Sequence, residues 1–88
     1  MQARIIVSGI VQGVSFRSFA KKHAYRLGIN GYVRNLPDGS LEVITEGKKE
    51  KIEELIKEIR KGPEGSKVDN IKIEWRRDEG YEGFSIKI

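Results

Sequence analysis

The spacing of apolar residues predicts an α+β fold, an antiparallel sheet with two helices on one of its faces. Three observations carry this prediction. The apolar period switches between two and about 3.6 residues in the order β-α-β-β-α-β, followed by a short extra strand. Glycine or proline stands at most of the changeovers, where the chain has to turn. The 88 residues leave room for one domain, 1–88, and include no cysteine, so packing rather than disulfides must hold it.

The elements follow in order. Ala3 to Ser8 puts Ala3, Ile5 and Val7 on one face and Arg4, Ile6 and Ser8 on the other, the weak contrast of a central strand. Phe16, Phe19, Ala20, His23, Ala24 and Leu27 then recur at three- and four-residue steps, one face of a helix that Gly28 closes. Asn30 to Arg34 and Leu41 to Glu46 read as strands of a hairpin, because Pro37 presets φ and Asp38-Gly39 is a strong turn signal between them. From Lys48 to Lys61, Ile52, Leu55, Ile56 and Ile59 form an apolar stripe, with Glu53 and Lys57 paired on the wet side and Gly62-Pro63 as the stop. Val68 to Arg76 alternates Ile71, Ile73 and Trp75 with Lys72, Glu74 and Arg76, and a last strand alternates Phe84, Ile86 and Ile88 with Ser85 and Lys87. Trp75 and Phe84 are expected in the core. Elements in this order form the split βαβ, ferredoxin-like sandwich, which hosts enzymes, RNA binders and metal chaperones alike, so function has to come from particular residues.

Composition narrows the choice. With no cysteine and one histidine, thiolate chemistry is absent and a zinc site is not expected; no metal or other cofactor is called for. No apolar run approaches the roughly 20 residues of a membrane span, and the N-terminus lacks a signal-peptide pattern, so a cytoplasmic protein without a membrane partner is expected. The net charge of +4 favours an anionic partner, either a phosphorylated metabolite or a nucleic acid backbone.

The stretch between the first strand and the first helix carries the sharpest signal. A helix N-terminus exposes unpaired N–H groups and a partial positive charge, so Arg17 in the first turn suits a site that receives an anion. Gly9 and Gly13 let the backbone bend and approach a ligand closely, and N–H groups of Gln12, Gly13, Val14, Ser15 and Phe16 could converge as an anion nest beside the Arg17 fork. The same glycines also suit a plain strand-to-helix turn with Arg17 in solvent. This is not a P-loop, since the glycines are four apart and Val14 follows the second. Asn35, where a strand enters the hairpin turn, reads either as a turn-starting residue or as an amide that holds a water. Ser15 lacks the setting of a nucleophile, and His23 on the apolar stripe reads as structural. The lysines of the second helix read as a solvated face.

Val7-Ser8-Gly9-Ile10-Val11-Gln12-Gly13-Val14-Ser15-Phe16-Arg17 resembles the first signature of the acylphosphatases, with the kernel Gly-x-Val-Gln-Gly-Val-x-Phe-Arg. Gly31-Tyr32-Val33-Arg34-Asn35-Leu36-Pro37-Asp38-Gly39 resembles their second, and the similarity runs on through Glu46-Gly47 and Gly62-Pro63 to Phe84-Ser85-Ile86. Ser15 stands at a position the family varies, and Tyr32 where tryptophan is frequent. The resemblance implies metal-independent hydrolysis of small acyl phosphates to a carboxylate and inorganic phosphate by a monomer. Arg17 and the Gln12-to-Phe16 backbone would bind the phosphate, Asn35 would orient water, and phosphate or sulfate would serve as a site ligand.

Two other readings stay beside it. One is a non-catalytic module on the same fold that binds an anion, or RNA through its sheet; the strands lack the paired aromatics of RNA-recognition domains, so no nucleic acid is expected. The other is an acylphosphatase-like domain of a larger enzyme, as at the front of hydrogenase-maturation carbamoyltransferases; with the sequence ending at Ile88, a free-standing protein is the expectation.

Overall fold

A computed structural model describes residues 1–88 as β1 (Gln2–Ile10), α1 (Phe16–Leu27), β2 (Asn30–Asn35), β3 (Leu41–Glu46), α2 (Lys49–Lys61), β4 (Lys67–Arg76) and β5 (Phe84–Lys87). All the predicted elements form, with ends shifted by one or two residues. The strands make one sheet in the order β4-β1-β3-β2-β5.

Alternation along each strand decides what lies between sheet and helices. Ala3, Ile5 and Val7 of β1 stand opposite Thr45, Val43 and Leu41 of β3, and all six are fully buried on the helix side. Phe16, Ala20 and Ala24 of α1 and Ile52, Leu55, Ile56 and Ile59 of α2 close the core from above. Each fully buried Ile, Leu or Phe contributes about 1.5–3 kcal/mol, which a chain this short needs. No helix is long and apolar enough to cross a membrane.

Two expectations change. β1, β2, β3 and β4 pair antiparallel as predicted, but β5 runs parallel to β2, so the sheet is mixed. The reason is where β4 ends. Arg76 pairs with Gln2, Gln2 with Glu46 and Glu46 with Asn30, so β4 finishes at the sheet end where β2 begins. Residues 77–83 cross that end, tied by the Glu46 carboxylate, which accepts from the N–H groups of Glu79, Gly80 and Tyr81. A chain arriving there can only enter β5 in the direction of β2. The second change is Trp75, which is 39% exposed instead of buried, because β4 is an edge strand whose outer residues overhang α2. The Lys49 ammonium sits 5.5 Å from its ring centroid. Phe84 is half-buried and packs against the core.

Candidate active site

The connection from β1 to α1 is pinned at both ends by the core, since Val11 and Phe16 are each 1% exposed. Between them the backbone alternates. Gly13 has φ 73° and Ser15 φ 61°, while Gln12, Val14 and Phe16 keep negative φ. Left-right alternation of this kind turns successive N–H groups toward one side, the geometry of an anion nest. None of the N–H groups from Gln12 to Phe16 donates to an acceptor within the protein. Ser15 is the N-cap of α1 yet makes no side-chain capping bond, and the first turn carries no acidic residue. A non-glycine residue in this conformation is strained by about 1–2 kcal/mol, a cost seen often where backbone is shaped for a ligand.

The two glycines of this stretch divide their work. A Cβ on Gly13 would meet nothing within 4 Å, so glycine there serves the left-handed turn beside the cavity. At Gly9 the structure shows a constraint other than the expected close approach to a ligand. A Cβ on Gly9 would lie 2.1 Å from the Lys67 carbonyl oxygen, so its role is a close approach to β4 at the irregularity between Ser8 and Gly9.

Arg17 and Asn35 come together. Asn35 stands opposite Leu41 at the end of β2, which aims its exposed side chain to the helix side of the sheet. There it lines one cavity of about 490 Å³ with Gly13, Ser15, Phe16 and Arg17. The Arg17 guanidinium has neither a salt bridge nor a hydrogen bond to the protein, and the Asn35 amide is likewise unbonded. The turn-starting role considered for Asn35 belongs to Asp38, whose carboxylate accepts from the N–H and hydroxyl of Ser40.

The surroundings reinforce the positive character of this cavity. Arg4, Arg17, Lys21, Lys22, Arg26 and Arg34 are the charged residues of positions 1–37, which contain no Asp or Glu at all. Arg4 and Arg34 are paired with Glu42 on the other face of the sheet, so the cations of this segment left without an ion-pair partner are Arg17, Lys21, Lys22 and Arg26, all on α1, and an anion is drawn toward that helix. The asymmetry of positions 1–37 is readable from the sequence by counting charges in halves rather than overall.

Other candidates sit elsewhere. His23 lies between the helices with its ring 4.4 Å from that of Phe19; burial, then Arg26, Lys22 and Lys61, lower its pKa from 6.5, with Glu58 opposing. It does not reach the cavity. The side chain of Gln12 was not singled out by its sequence setting, yet its amide donates to the carbonyls of Leu36 and Ser40, each at 2.9 Å.

With this geometry in view, the relatives are informative. The acylphosphatase family model matches residues 3–86. The acylphosphatase of Caldivirga maquilingensis is 47% identical over 89 residues, spanning 99% of this chain and 94% of its relative. The crystal structure of acylphosphatase from Bacillus subtilis superposes with a TM-score of 0.96 at 38% identity, covering 99% of this chain and 98% of that one. HypF of Thermococcus kodakarensis contains a similar unit, with a TM-score of 0.88 at 34% identity over 100% of this chain but 12% of that larger protein. An unpaired arginine at a nest of free N–H groups, facing an asparagine at a strand end, is therefore found on a chain that belongs to the acylphosphatase family.

Proposed function

We propose that the protein hydrolyses the carboxyl-phosphate bond of small acyl phosphates without a metal ion, using Arg17, the Gln12-to-Phe16 backbone and Asn35. Family membership supports the reaction class. The observation that carries the residue roles is the cavity in which an unpaired guanidinium, free backbone donors and an unbonded amide face one another. The guanidinium offers two parallel donors to phosphate oxygens, and the nest surrounds the remaining equatorial oxygens, where charge resides in a loose phosphoryl-transfer transition state.

The chemistry balances without further groups. A water held by the Asn35 carbonyl and amide attacks phosphorus in line, the bond from phosphorus to the acyl oxygen breaks, and the carboxylate departs with the electron pair. One water proton passes to a nonbridging phosphate oxygen. A carboxylate is a good leaving group, so placement and charge stabilisation suffice where a phosphate monoester would demand more. No three His, Asp or Glu side chains converge to hold a metal ion.

RNA binding through the sheet gains no support, because Tyr32 on the open face is 9% exposed beneath Tyr81 and Lys87 and offers no free ring for stacking. The direct test is loss of benzoyl phosphate absorbance with purified protein in the presence of chelator. Turnover is expected. No turnover overturns the reading, and turnover abolished by chelator overturns its metal independence.

A further inference from the structure

We propose that the side chain of Gln12 is a positioning residue, a strut that sets the distance between the phosphate-binding loop and Asn35. This rests on the acyl phosphate reading above and adds a role that neither the loop backbone nor Asn35 supplies.

Both hydrogens of the Gln12 amide are engaged, one by the Leu36 carbonyl and one by the Ser40 carbonyl, at 2.9 Å each. These carbonyls already belong to a closed turn, since Leu36 N–H donates to Ser40 O at 2.8 Å and Gly39 N–H to Leu36 O at 3.1 Å. The amide therefore plugs into a turn that is rigid in its own right, with Asp38 holding Ser40 from the other side. Leu36 is the residue immediately after Asn35, and Gln12 is the first residue of the nest. No other hydrogen bond joins residues 11–18 to residues 35–41. The grip on phosphate and the residue proposed to hold water are thus tied by one side chain.

The residue type matches the task. Two carbonyl acceptors require two donors on one short arm, which a primary amide provides; a glutamate at neutral pH offers acceptors only, and a methionine copies the shape with neither. The consequence is kinetic. In-line attack needs water within a few tenths of an ångström of its place, and a displacement of about 1 Å costs on the order of 100-fold. Loosening the strut should impair the chemical step while leaving the anion grip, which the core anchors through Val11 and Phe16, in place.

A double-mutant cycle tests this, with kcat for benzoyl phosphate and the Kd of inorganic phosphate measured for wild type, Gln12→Met, Asn35→Ala and the double variant. We expect Gln12→Met to lower kcat by roughly 10- to 100-fold with phosphate Kd within about threefold, and to lower kcat less than about threefold further once Asn35 is alanine. Gln12→Glu should be at least as impaired as Gln12→Met. If Gln12→Met does not fold, as judged by circular dichroism, the cycle is run with Gln12→Asn, which keeps the amide but draws it back by one methylene. Independent, multiplying losses in the double variant overturn the strut, as does an unchanged kcat or a parallel loss of phosphate affinity. A wild-type protein without turnover instead overturns the underlying reading.

Discussion

The open face of the sheet and the loop between β1 and α1 both gather charge, and they dispose of it in opposite ways. On the open face Glu42, with a side chain 4% exposed, receives Arg4 Nε and Arg34 Nε at 2.6 Å each and the Tyr32 hydroxyl at 3.1 Å. Glu46 is bonded by Gln2 Nε2 at 2.8 Å and by three backbone N–H groups. In the loop, five backbone N–H groups, the Arg17 guanidinium and the Asn35 amide have no partner within the protein. Polar groups that exist to hold a fold find each other, because leaving them unpaired costs about 1–3 kcal/mol apiece when buried. In the loop Gly13, Ser15 and Asn35 are exposed, so water can serve their polar groups and leaving them unpaired does not carry that cost, which suits the anion site proposed above.

The largest effects should come from breaking the unpaired side of this contrast. Arg17→Gln is expected to lower kcat/KM for benzoyl phosphate by roughly a thousandfold or more, and Arg17→Lys by at least about 100-fold because a point charge cannot reproduce the fork. Neither should destabilise the fold. Arg17→Gln, which removes an unpartnered cation from the start of α1, should instead raise the melting temperature slightly, the helix-end interaction being about 0.3–1 kcal/mol. A thermal melt that falls by several degrees would mean that Arg17 belongs with the satisfied charges after all. Asn35→Ala comes next, with kcat lowered by roughly 100-fold and phosphate Kd, measured by calorimetry, within about threefold of wild type. Equal loss of phosphate binding would reassign Asn35 from water to anion.

Glu42→Gln probes the paired side and should show the opposite pattern. It leaves Arg4 and Arg34 without their shared carboxylate and should cost about 2 kcal/mol of stability, or roughly 10 °C in a domain of this size, with kcat per folded molecule within about twofold. The sign of the pH dependence follows. Burial raises the proton affinity of Glu42, but the bonds from Arg4, Arg34 and Tyr32 outweigh it and hold the pKa below 4.5. The stabilisation is therefore complete above about pH 4.5 and is lost as the pH falls through the lowered folded value, by linkage. Urea titrations between neutral and acid pH should show that Glu42→Gln flattens this decline. A steep loss of activity in the folded variant would place Glu42 in the site and dissolve the contrast.

How much of this was legible beforehand depends on the kind of partner each residue has. Helices and strands were readable because periodicity records burial directly, and Ile52, Leu55, Ile56 and Ile59 are all buried as their spacing requires. The position of Arg17 in the first turn of α1 was legible from the sequence, and Asn35 was marked as a candidate by its resemblance; that the two line one cavity was not. The Gln12 strut was not, since its acceptors are backbone carbonyls at Leu36 and Ser40, and carbonyls leave no mark in a sequence. Glu42 hid for a related reason, because a charged residue alternating with apolar ones reads as solvated until strand order puts two arginines beside it. Strand order also decided what alternation could not, namely that β4 is an edge with Trp75 exposed and that β5 lies parallel to β2.

The smallest predicted effect lies where the two kinds of region meet, at Ser15. Its backbone is left-handed at φ 61° and ψ 25°, and its N–H belongs to the unpaired set while its carbonyl accepts from Phe19 N–H at 3.0 Å to begin α1. Ser15→Gly relieves the strain of a Cβ in that conformation but adds freedom to the unfolded chain, so stability should rise by no more than about 1 kcal/mol. Ser15→Val keeps the strain and stiffens the side chain, and should cost at least about 1 kcal/mol. If the nest acts through its backbone alone, Ser15→Gly keeps kcat within about threefold, because the N–H directions survive the loss of the hydroxyl. A tenfold fall in kcat with stability intact would show that the Ser15 hydroxyl, which lines the same cavity, also touches the phosphate. The cradle would then combine backbone donors with a side-chain donor from a residue whose strain holds both in place.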